Sequence, residues 1–158
     1  MRAVSGQALA GTSGGSGSFW SARANAAWLK PWGPKTQWVV RGGLQISPTD
    51  LLPSSEQFQA GGSVSVRGYS EGLLTGRSGY LASVELRHQL HSPADGSGWP
   101  FVTGLAFVDH GAAFPFRPAP LADVTRSDFL TSAGVGMVAD WSQRVQARLT
   151  LGWPLRNK

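Results

Sequence analysis

The chain has 158 residues, a net charge of +5 and no cysteine; 15% of its residues are charged and 41% hydrophobic. Its charge content lies well below the ~25% of an ordinary soluble domain, and its 21 glycines are nearly twice the usual ~7% share. These features exclude a disulfide framework and a cysteine-ligated metal and a membrane helix, since no run reaches ~18 apolar residues; the scattered arginines argue against a nucleic-acid-binding face.

What remains is a chain of alternating strands with one apolar face, a pattern in which membrane barrels hide their hydrophobicity. The N-terminal MRAVSGQALAGTSGGSG lacks the sustained apolar core of a signal peptide. Residues 2–11 are a weak strand and residues 12–18 a flexible loop. Residues 18–30 are a clear strand, with Trp20, Ala22, Ala24, Ala26 and Trp28 on one face and Ser21, Arg23 and Asn25 on the other. At ~3.4 Å per residue and a ~45° tilt, the two tryptophans stand roughly 19 Å apart along a membrane normal. That is near the separation of the aromatic girdles edging a ~25 Å apolar band. Alanines between them would underfill a soluble core.

Pro31–Lys35 is a tight turn. Residues 36–47 form the second strand, with Trp38, Val40, Leu44 and Ile46 opposite Arg41, Gln45 and Ser47. The segment 48–77 follows, far longer than the 2–5 residues of a usual hairpin loop. A long ordered loop between strands usually carries function. This one holds EQFQAGGSVSVRGY, in which Arg67 lies between Val66 and Gly68-Tyr69, downstream of Gly61-Gly62.

Residues 78–90 are the third strand, with Tyr80, Ala82, Val84, Leu86 and Leu90 on one face and Ser83, Glu85, Arg87 and Gln89 on the other. Residues 91–98 are a polar turn. In the fourth strand, 99–110, Phe101, Leu105, Phe107 and Asp109 share one face and Val102, Ala106 and Val108 the other, so periodicity alone does not assign them. Residues 111–127 read as a proline-rich loop. The fifth strand, 129–141, sets Val135, Met137 and Trp141 against Gly134 and Gly136. After a turn at Ser142-Gln143, residues 144–153 set Arg144, Gln146, Arg148 and Thr150 against Val145, Ala147, Leu149, Leu151 and Trp153. Short turns alternate with long loops, as in outer-membrane barrels. The predicted fold is an all-β, antiparallel up-and-down transmembrane barrel facing a lipid bilayer. Six or seven strands do not close such a barrel, so residues 1–158 read as part of a larger one with both ends cut.

Four landmarks then come in order: Leu52–Phe58 with Gly61-Gly62 and Val66-Arg67-Gly68-Tyr69; Gly79-Tyr80 leading into Val84-Glu85-Leu86; Phe107-Val108-Asp109-His110-Gly111; and Gly134-Val135-Gly136 through Leu151–Leu155. Together they closely resemble the outer-membrane transporters of two-partner secretion, the hemolysin and filamentous-hemagglutinin secretion/activation proteins. The resemblance runs from about residue 36 onward. It implies a 16-stranded barrel of which this chain supplies the C-terminal part, about six or seven strands, without the periplasmic domains. It implies a pore that secretes a large, unfolded, β-rich partner protein without ATP. It also implies that the loop folds into the lumen, where Arg67 meets a carboxylate of the inner wall: Asp109 by position, Glu85 as second candidate. Gly68 would allow a tight backbone turn, Gly61-Gly62 a compact entry, and Tyr69 would pack the loop tip. Arg23, Arg41, Arg87, Arg144 and Arg148 would line the path or pin the loop.

His88, His91 and His110 make no metal-ligand pattern; His88 is placed at a rim and the other two in turns. There is no nucleophile elbow, acid–base pair or phosphate-binding loop. The expectation is a non-enzymatic protein without cofactor, metal, nucleic acid or small-molecule substrate. A barrel-assembly insertase of the same superfamily is the alternative function, and a soluble β-barrel binding module the third.

Overall fold

The computed structural model of the chain describes residues 7–11, 19–48, 52–93, 98–114, 128–142 and 145–156. Strands β1 (Gln7–Gly11), β2 (Phe19–Pro31) and β3 (Thr36–Ile46) precede a short 3-10 turn at Ser54–Glu56. A small hairpin, β4 (Phe58–Ala60) and β5 (Leu74–Gly76), comes next. Then follow β6 (Ser78–His91), β7 (Phe101–Phe114), β8 (Asp128–Ser142) and β9 (Val145–Pro154). The seven long strands make one sheet in the order β1-β2-β3-β6-β7-β8-β9. All neighbours are antiparallel. The sheet is an open stretch of up-and-down barrel wall. The β4–β5 hairpin stands apart from the ladder, between β3 and β6.

Alternation decides which way each side chain points. On one surface Val84, Val108, Val135, Met137, Leu149 and Leu151 are exposed, and no described element covers them. This belt is edged with aromatics. Trp28, Trp32, Trp99 and Trp141 lie at the rim of the short turns, and Trp20, Phe114, Phe129 and Trp153 at the rim of the long loops. Exposed apolar surface of this extent, with rings at both edges, belongs against lipid. The opposite surface carries Ser21, Gln45, Glu85 and Asp109, all buried.

The indistinct alternation of β7 has a physical cause. Leu105 and Phe107 lie on the inward face beside Asp109, yet both are buried, because the long loop folds over that stretch of wall. β7 therefore has apolar neighbours on both sides. It also runs further than its sequence indicates. Gly111, Ala112 and Ala113 pair with Leu81, Tyr80 and Gly79. Small residues without alternation read as loop, but here they are buried strand. This places His110 within β7 and His91 at the end of β6, so neither lies in a turn. The 48–77 segment likewise contains the 3-10 turn and the hairpin, which its sequence does not announce. Residues 2–6 of the first predicted strand, the loop 12–18, most of the proline-rich 111–127 and Arg144 lie outside the described residues.

The two faces make a direct prediction. Val108→Arg, at mid-strand on the lipid face, should cost about 2–4 kcal/mol in the membrane-inserted protein, read by urea unfolding in vesicles. Thr150→Arg on the inward face should cost much less. Equal losses would contradict the assignment of faces.

Candidate functional site

The loop is built to enter the lumen and stay there. Gly61 and Gly62 adopt φ of 107° and 103°, a backbone region open to glycine but strained for other residues. The chain turns sharply there and closes on itself: the Ser65 hydroxyl accepts from the Gly61 N–H at 2.9 Å and donates to the Gly61 carbonyl at 2.8 Å. Phe58, Ala60 and Leu74 from the β4–β5 hairpin, together with Val66, pack on Ala113 of β7 and Leu130 of β8. Burying each large side chain contributes about 1.5–3 kcal/mol against an aqueous lumen. At its entry, the loop is tied to the wall by Arg23. That side chain donates to Gln45 Oε1 at 2.8 Å and to Glu56 Oε2 at 2.9 Å.

With Val66 anchored, Arg67 is carried against β6 and β7. The register pairs Ser83 with Asp109 and Glu85 with Phe107, so all four project inward from adjacent positions. The Arg67 guanidinium grips Asp109 at two points, Nε to Oδ2 at 2.7 Å and Nη2 to Oδ1 at 2.8 Å. Its backbone N–H donates to the same carboxylate at 3.1 Å. Nη1 donates to Glu85 Oε2 at 2.9 Å, and Nη2 reaches the Ser83 hydroxyl at 3.3 Å. The guanidinium lies flat over Phe107, 3.4 Å from its centroid. Ser83 in turn donates to Asp109 Oδ1 at 2.7 Å. Arg67 is 8% exposed and both carboxylates 0%. Burial works against the charge of Arg67. Its hydrogen bonds with Asp109 and Glu85, and their attraction, outweigh that and raise its pKa above the ordinary arginine value.

The two carboxylates are not equivalent. Among the described residues, Arg67 is the cation bonded to Asp109. Glu85 is also met by Arg41 at 3.2 Å, by Arg148 at 3.4 Å and by Arg87. Withdrawing Arg67 would leave Asp109 a buried charge without a counter-ion, while Glu85 would keep three. Breaking a buried pair from one side costs about 3–5 kcal/mol.

Past Arg67, the chain presses on β9. Gly68 has φ of 92°, and a Cβ there would lie 2.9 Å from the Gly152 carbonyl carbon and oxygen. A Cβ on Gly152 would lie 2.9 Å from the Gly68 nitrogen. The two backbones touch because neither residue has a side chain. The Tyr69 side chain packs against the loop's apolar cluster, and its hydroxyl donates towards the Thr131 carbonyl at 2.8 Å and lies 2.9 Å from that of Arg156. The tip is Ser63-Val64, exposed to the lumen.

The structure thus brings Val66, Arg67, Asp109 and Glu85 together, with Gly61, Gly62, Gly68 and Tyr69 shaping the approach. Sequence reasoning named both carboxylates as alternatives, whereas the fold uses both at once. It passed over Ser83 and the Phe107 face, although both stand on the inward face beside Glu85 and Asp109.

The chain matches the Omp85 superfamily domain over residues 1–158. It belongs to the Omp85 superfamily. Among solved structures it is similar to CdiB from Escherichia coli, with a TM-score of 0.73 and 26% sequence identity over 88% of this chain and 24% of that chain. CdiB is a two-partner secretion transporter. The superfamily match and the CdiB likeness support a member of the two-partner-secretion type within that superfamily. It spans about a quarter of the length of CdiB.

The glycine contact can be tested from either side. Gly68→Ala and Gly152→Ala should each loosen the loop, read as faster protease cleavage within residues 61–70 of the membrane-embedded protein. Because both remove one contact, the double variant should add little to the worse single one. Fully additive effects would contradict the shared contact.

Proposed function

We propose that this chain forms the latched part of an outer-membrane pore that secretes an unfolded, β-rich partner protein without nucleotide hydrolysis. Arg67, Asp109 and Glu85 are the latch, and the loop is what the latch holds. The proposal includes residues 1–158 as a contiguous portion of a closed barrel, its open sheet completed by further strands that pair the free edges, since unpaired backbone groups are costly in lipid. The likeness to a two-partner secretion transporter supports the choice of cargo.

The observation that carries the reading is the two-point grip of Arg67 on a fully buried Asp109. A loop that merely decorated a rim would not take an arginine out of water against two carboxylates. Beside the docked loop lies a cavity of about 1050 Å³, whose lining includes Asn25, Arg41, Ser63, Val64, Arg148 and Thr150. Its wall is mixed, and Asn25, Arg41, Arg148 and Thr150 set polar groups among alanine and glycine where an extended chain's backbone groups need hydrogen-bond partners. Moving the loop would widen the cavity.

The test is charge reversal in the whole protein, with secretion of its partner as readout. Arg67→Glu and Asp109→Arg should each lower secretion at least about tenfold, given the size of a broken buried pair. Combining them should recover part of the loss. Normal secretion by either single reversal, in protein that still inserts, would overturn the assigned role.

A further inference from the structure

One cluster on the lipid face departs from the apolar pattern. It lies near the long-loop rim, on the outward side of β6, β7 and β8. His110 Nε2 stands 2.9 Å from the Tyr80 hydroxyl, and Nδ1 2.8 Å from Thr131 Oγ1. Rings surround this polar chain. Tyr80 and Phe129 each lie 5.6 Å from His110, and Phe114 lies 6.3 Å from Tyr80. They enclose a shallow groove of about 280 Å³ floored by Ala112. Beside it, the Arg156 guanidinium lies 4.3 Å over the Phe129 ring. Arg156 is exposed, and among the described residues no carboxylate pairs with it.

A row of hydrogen-bonding side chains on a face turned to lipid calls for a reason, because such groups are costly there. Position supplies one. Long loops mark the extracellular rim of a barrel of this type, and aromatic residues gather where acyl chains meet headgroups. An arginine held over a ring face, with no carboxylate partner, keeps N–H donors free for two oxygens of a phosphate. If Thr131 donates to Nδ1, His110 donates through Nε2 to the Tyr80 oxygen. The Tyr80 proton then points to the groove.

We propose that Tyr80, His110, Phe129 and Arg156 form a site for a phosphate-bearing lipid on the outer surface of the barrel. The phosphate is held by Arg156, an ester oxygen accepts from Tyr80, and an acyl chain lies along the groove between Phe114 and Phe129. The site rests on the membrane-barrel fold and is independent of what the pore carries.

The test uses the whole protein, extracted in mild detergent and titrated separately with phosphatidic acid, diacylglycerol and inorganic phosphate, with bound species counted by native mass spectrometry. Phosphatidic acid should bind about fivefold or more tightly than diacylglycerol, the scale of one arginine at a membrane surface. Arg156→Gln should remove that difference while leaving diacylglycerol binding unchanged. Tyr80→Phe should weaken both lipids together. Arg156 is exposed, so its replacement should keep the heat-modifiable gel mobility of a folded barrel. Equal binding of the two lipids, an unaltered Arg156→Gln variant, or displacement of phosphatidic acid by an equal concentration of inorganic phosphate would each overturn the proposal.

Discussion

A guanidinium taken out of water must find its counter-charges already in place, and that requirement orders much of this structure. Arg67 can be buried because β6 and β7 hold Ser83, Glu85 and Asp109 on adjacent inward positions of one register. The register holds because the outward alternation of both strands faces lipid, and a slip by one residue would turn the carboxylates into the bilayer. The latch and the membrane face are therefore one constraint seen from two sides. The loop adds its own terms through Val66 in the apolar cluster, Gly68 against Gly152, and Arg23 on Glu56.

The unequal surroundings of the two carboxylates give the latch a direction. Asp109 relies on Arg67, while Glu85 stands among Arg41, Arg87 and Arg148 as well. Three of these arginines retain some contact with solvent, so the ion pairs they make are worth less than the buried one. Leaving Asp109 is thus the costly part of any loop movement. Anything that releases the loop has to offset the isolation of that one carboxylate.

Much of this was legible in the sequence, for identifiable reasons. Strict alternation in β2, β6 and β9 fixed their faces, because in a barrel wall nothing but lipid touches one side of a strand. The unusual length of the 48–77 segment and the Val66–Tyr69 motif marked the loop. Alternation failed in β7, where the docked loop makes the inward face apolar around Phe107. It failed again at Gly111–Ala113, where small residues carry no period at all. The joint use of Asp109 and Glu85 was not legible, since a list of inward residues does not say which two lie within reach of one guanidinium. Nor was His110, whose partners Tyr80 and Thr131 come from neighbouring strands far away in the sequence.

The central claim is that the loop is held on the inner wall by Arg67. Hydrogen exchange at the Arg67 backbone amide tests it most directly. That N–H belongs to no strand ladder and donates to Asp109 at 3.1 Å, so its protection reports the latch and little else. In the membrane-embedded protein the account predicts exchange as slow as in the central amides of β6 and β7, and fast exchange after Asp109→Ala. Rapid exchange at Arg67 in the unaltered protein, at the rate of an open loop, would contradict it.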